Sequence, residues 1–141
     1  MASTSPIPVA TYGKDPKIAE AVRERLLPDI EVVHCCLSLD SALSELPSLC
    51  AGELEVAPSS GLGTNSSSDT TSRKVPQAIF FGGGFTDDEY DKITSAVKAR
   101  APGVHFVKVQ KRDVLAAGSF GPNPETIAKI YRKKMAALAA A

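Results

Sequence analysis

No stretch of the 141-residue chain approaches eighteen consecutive apolar residues, which argues against a membrane-spanning helix. Charge of one sign is also missing. Sixteen Lys and Arg face sixteen Asp and Glu for a formal net charge of zero, so no general attraction draws the chain to nucleic acid or anionic lipid. Cysteine is scarce and odd in number. Cys35 and Cys36 are adjacent in an apolar run, the wrong geometry for an ordinary mutual disulfide, so the three thiols are expected to be reduced and buried, with no metal role. The first residues, Met1 to Pro8, carry neither a charged leader nor a long apolar core, and with the thiols they set the expectation of a cytoplasmic protein. In that compartment the Asn65-Ser66-Ser67 sequon would never meet a transferase.

The common signatures of small α/β enzymes are absent too. The first strand-to-helix turn, Gly13-Lys14-Asp15-Pro16, holds one glycine where a dinucleotide fingerprint needs three. Gly82-Gly83-Gly84 supplies the spacing of two, but Asp87 stands at the third place, and Asp87, Asp88 and Glu89 would repel a pyrophosphate. Neither a phosphate-binding P-loop nor a Gly-x-Ser-x-Gly elbow occurs, and no Cys is followed by Arg six residues on. The acidic pair and the Asp that a two-component receiver domain requires are replaced by Gly13-Lys14 and Gly82-Gly83. No cofactor is expected from these motifs.

What is present is a clear alternation. Pro8 to Gly13 reads as a strand, with Asp15 and Pro16 opening a helix to Leu27 whose face is Ile18, Val22 and Leu26. Glu31 to Leu37 lacks polar alternation, as in a strand covered on both faces. A short helix follows from Ser38 to Leu46, interrupted by Pro47 and closed by Gly52. Between Pro58 and Ser72 nearly every residue is Ser, Thr, Gly, Asn, Asp or Pro, which predicts a flexible loop inside the domain. A third strand runs from Val75 to Phe81. Thr86 with Glu89 forms a capping box, and Phe85 with Tyr90 a hydrophobic staple, so a helix starts at Asp87. Val104 to Val109 is a fourth strand, and Asn123-Pro124 opens a last helix lined by Ile127, Ile130, Tyr131 and Met135, its Lys129, Arg132 and Lys133 in solvent.

This order predicts a single α/β domain over residues 1–141. It is a three-layer, Rossmann-like or flavodoxin-like arrangement with a short parallel sheet of about four strands in the order 2-1-3-4. The crevice at the carboxyl ends of strands one and three is the expected ligand site, built from Gly13, Lys14, Gly82, Gly83 and Gly84 with Arg112 alongside. Two functions compete for it. One is a binding or accessory module, homodimeric through its open sheet edges and opposite surface charges, taking a partner or a small anionic ligand. The other is a small enzyme with His34, Tyr12 and Lys14 as acid-base groups, and the sequence leaves open whether the chain is catalytic. No carboxylate partner for His34 is visible in the sequence.

Overall fold

The structure is a computed structural model that describes residues 6–27, 29–66, 73–82, 85–109, 113 and 123–140. The described strands are β1 (Ile7–Tyr12), β2 (Ile30–Cys36), β3 (Ala78–Phe81) and β4 (His105–Lys108). They pair in parallel in the order β2-β1-β3-β4. The described helices are α1 (Pro16–Leu26), α2 (Leu39–Cys50), α3 (Asp87–Arg100) and α4 (Pro124–Ala140), with a 3-10 turn at Thr64–Ser66. The fold is the expected three-layer α/β arrangement.

Strand alternation divides the core. Val9, Val32, Ala78, Phe80 and Val107 face α1 and α4, meeting Val22, Leu26, Ile127 and Tyr131. Ala10, Tyr12, Cys36, Ile79 and Phe81 face α2 and α3, meeting Ala42, Leu46, Ile93 and Val97. Phe80 stacks on Tyr131 with ring centroids 4.3 Å apart. At roughly 1.5–3 kcal/mol for each large apolar side chain removed from water, these two faces supply most of the driving force for the fold.

One irregularity re-aims a strand. Val9 pairs with Val32, but Ala10 pairs with His34, so Val33 is an extra residue in β2. Without it, His34 would share the α1 side with Val32. The bulge turns His34 and Cys36 towards α2 instead.

The helix starts follow their caps. Asp15 Oδ1 accepts the amides of Lys17 and Ile18, Asn123 Oδ1 accepts those of Glu125 and Thr126, and the Thr86–Glu89 capping box closes in both directions. One expectation is corrected. Helix α2 runs through Pro47 to Cys50 rather than breaking there. The lost hydrogen bond and ring clash cost about 3 kcal/mol, and the burial of Leu46, Leu49 and Cys50 outweighs that. Gly52, at φ +105°, then closes the helix as expected, its amide donating to Leu49 O at 3.0 Å.

The loop expected to be flexible runs from Pro58 to Ser72. Its described part, through Ser66, is docked on β2. The amide of Cys35 donates to Leu62 O at 3.2 Å, and Ser60 Oγ donates to Cys35 O at 2.6 Å. Asn65 is buried and exchanges two hydrogen bonds with the Lys74 backbone, while Thr64 Oγ1 donates to Glu31. Polar composition disfavours a core, but hydroxyl and amide side chains are well suited to covering a sheet edge. Residues 67–72 lie outside the described part.

Residues 60–66 cover the β2 edge, and Arg132 and Lys134 of α4 pair with Asp29 and Asp113. Arg132, expected in solvent, is half-buried. None of the described helices is long and apolar enough to cross a membrane.

Candidate functional site

The topological switch lies between β1 and β3, and the sequence places Tyr12, Gly13 and Lys14 at its mouth. Tyr12 is the last residue of β1 and is fully buried. Its hydroxyl donates to Glu89 Oε2 at 3.1 Å. Lys14 Nζ lies 3.0 Å from the same oxygen, on a side chain that is half exposed. The other oxygen, Oε1, accepts the amide of Thr86 in the capping box. Burial alone would raise the Glu89 carboxyl, but the Thr86 amide, the Lys14 ammonium and the Tyr12 hydroxyl outweigh it and hold it below the ordinary range. Tyr12 is driven well above the ordinary phenol value, first by burial and then by Glu89, so it is a hydrogen-bond donor rather than a base.

The glycines flank this cluster. The amide of Gly13 donates to Cys36 O at 3.1 Å, and that of Gly82 to Tyr12 O at 2.9 Å. A Cβ on Gly82 would meet the Tyr131 hydroxyl at 3.2 Å, so a small residue is needed where β3 ends. Gly83, Gly84 and Arg112 lie outside the described residues.

His34 is engaged elsewhere. It is fully buried, and its Nε2 lies 2.7 Å from Glu45 Oε1 on α2. The carboxylate partner that no local pattern revealed is therefore supplied by tertiary packing. One signal was available: Glu45 sits on the apolar stripe of α2 with Ala42, Leu46 and Leu49, where an acid needs a buried partner. The same oxygen accepts the amide of Ser59 at 3.3 Å and lies 3.9 Å from Cys36 Sγ. Ligand atoms of His34, Cys36 and Glu45 all fall within 4.8 Å of one another. His34 Nδ1 has no hydrogen-bond partner among the described residues. Burial lowers the His34 pKa against the opposing pull of Glu45, so the ring favours its neutral form.

The three proposed acid-base groups thus divide into two clusters: Tyr12 and Lys14 share Glu89, and His34 holds Glu45. All three cysteines are free and buried. Burial pushes Cys35 and Cys36 up and Cys50 up to about 12, which leaves no ready thiolate nucleophile among them. At the opposite end of the sheet, an open hollow of about 430 Å³ is lined by Cys50, Val75, Gln77, Val104 and His105 among others, without converging charged groups.

These features define a small three-layer α/β domain with a charged cluster at its switch point and a buried His-Cys-Glu cluster beneath α2. No family model matches the chain, and no solved structure matches it. Over 90 residues it is 37% identical to Kojic acid related protein 6 of Aspergillus oryzae, a stretch covering 64% of this chain and 50% of that protein. The chain thus matches about half the length of this curated relative.

Proposed function

We propose that this chain is a small α/β binding module that takes a small anionic metabolite, a carboxylate or a single phosphate, at the carboxyl ends of β1 and β3. The observation that supports this reading is the convergence of Tyr12 Oη and Lys14 Nζ on one carboxylate oxygen of Glu89. Two donors from the end of one strand are already arranged around an oxyanion, and Glu89 holds the place that a ligand's oxygen would take. The half-exposed Lys14 makes that place reachable from solvent. A binding role fits this geometry better than catalysis, because His34, the natural proton-transfer group, is turned away into the Glu45 cluster.

A reducing, cytoplasmic setting accords with the three free, buried thiols. Native mass spectrometry of freshly purified protein tests the reading. A retained or added small anion is expected on the wild-type chain and is lost in Lys14→Ala, which should leave the fold intact. Equal binding by both proteins would move the site away from β1.

A further inference from the structure

We propose that His34, Cys36 and Glu45 form a buried binding site for one Zn2+ ion. It is distinct from the switch-point cluster and independent of the anion reading.

Three observations carry it. The first is the donor set: an imidazole, a thiol and a carboxylate are the three ligand types zinc takes, with the soft sulfur favouring zinc over magnesium or calcium. All three residues are buried, and their ligand atoms lie within 4.8 Å of one another. The second is how they come together. The bulge at Val33 places His34 and Cys36, two apart in β2, on the side of α2, and Glu45 meets them from the middle of that helix. The third is charge. A carboxylate and a thiolate offset the two positive charges of the ion, and the imidazole binds as a neutral ligand, so the filled site buries no net charge.

For zinc-ligand bonds of about 2.0–2.3 Å, tetrahedral ligand atoms stand roughly 3.3–3.6 Å apart. The His34–Glu45 pair at 2.7 Å must open by about 0.6–0.7 Å, the Cys36–Glu45 pair at 3.9 Å must close by about 0.3 Å, and the His34–Cys36 pair, within 4.8 Å, closes by at most about 1.2 Å. The ring has no partner besides Glu45 among the described residues, so entry of the ion displaces one hydrogen bond of the imidazole. The amide of Ser59 stays available to orient the carboxylate from outside the ligand shell. Ser59 is itself exposed, which puts Glu45 one residue below the surface and gives the ion a route in. On binding, the Cys36 thiol releases its proton to solvent and sulfur forms the metal bond; no oxidant or reductant takes part. Three protein ligands leave one coordination position for water.

The test uses the full chain, stripped with chelator and dialysed. Co2+, which reports its ligands by absorption, is titrated in and then displaced with Zn2+. One equivalent of Co2+ with a thiolate-to-metal charge-transfer band, displaced stoichiometrically by Zn2+, is expected. Cys36→Ser should abolish the band, whereas Cys50→Ser should keep it. Glu45→Gln, the safer variant for folding, should weaken Zn2+ binding by roughly tenfold or more, since even partners outside the ligand shell contribute that much. Circular dichroism checks each variant's fold, and if Cys36→Ser does not fold, Glu45→Gln decides. A wild-type chain that takes up no Co2+, a band that survives in folded Cys36→Ser, or Zn2+ affinity unchanged in Glu45→Gln would each overturn the proposal.

Discussion

Lys14 and Glu89 meet at 3.0 Å across the switch point of the sheet, and Glu89 serves two structures with its two oxygens. Oε2 takes the ammonium of Lys14 and the hydroxyl of Tyr12, while Oε1 completes the cap of α3 by accepting the Thr86 amide. An anion approaching Lys14 therefore competes with a carboxylate tethered by the helix cap. On the proposed reading the site carries its own competitor, and removing that charge is the most direct way to test for a binding function.

The same carboxylate gives a pH signature. The folded-state pKa of Glu89 lies below its ordinary value of 4.5. On unfolding it returns there, so in acid the unfolded chain takes up a proton that the folded chain refuses. The contribution of Glu89 to stability is complete above about pH 4.5 and drains away as pH falls through the folded value. Glu89→Gln, which keeps a capping-box side chain, should be less stable than wild type near neutral pH, and the gap should narrow by about pH 3. Urea midpoints at the two pH values check this, and a constant gap would show that the ionised form has no special partners.

Among the described glycines, Gly63 is the position most intolerant of a side chain. Its φ is +106°, and a Cβ there would lie 2.5 Å from Val33 O and 2.7 Å from His34 N, both backbone atoms fixed by the bulge. Gly63→Ala should cost about 2–4 kcal/mol, whereas Gly61→Ala, also at positive φ but facing open space, should cost about 1 kcal/mol. Chemical denaturation of the two variants separates clash from backbone strain. Similar losses would mean that residues 60–66 are not docked on β2.

Arg132 closes the end of α1. Its Nη2 donates to the carbonyls of Arg25, Leu26 and Leu27 at 2.9–3.1 Å, and its Nη1 pairs with Asp29. These are carbonyls at a helix terminus with no glycine cap, met by a cation on the favourable end of the helix dipole. Arg132→Met, which keeps apolar bulk, should destabilise the chain by about 1–2 kcal/mol in urea unfolding. No change would show the clamp to be dispensable surface.

How much of this was legible in the sequence depended on the range of each interaction. The Thr86–Glu89 box and the Asp15 and Asn123 caps are written within three residues, and the buried character of β2 within seven, so elements and strand order could be read directly. Lys14 and Tyr12 were placed at the switch point by topology alone, but their partner was not, because Glu89 comes from 75 residues further on and its local role as a cap already explained it. The His34–Glu45 pair is not legible locally, because it needs a one-residue bulge in β2 that has no composition signal. Pro47 does not end α2, because burial along the second half of the helix, Pro47 included, outweighs a local rule.

The central claim, an anion site at Lys14 and Tyr12, is tested most directly by titrating inorganic phosphate and a small carboxylate into 15N-labelled wild type, Glu89→Gln and Lys14→Ala. Amide shifts are expected to cluster at Tyr12, Gly13, Lys14 and Gly82 in wild type. The Gln variant should saturate at concentrations several-fold lower, since it removes the carboxylate that competes for Lys14, and Lys14→Ala should not respond at those amides. Shifts that spread over the surface, or a Glu89→Gln response no stronger than that of wild type, would contradict the assignment of this crevice as a ligand site.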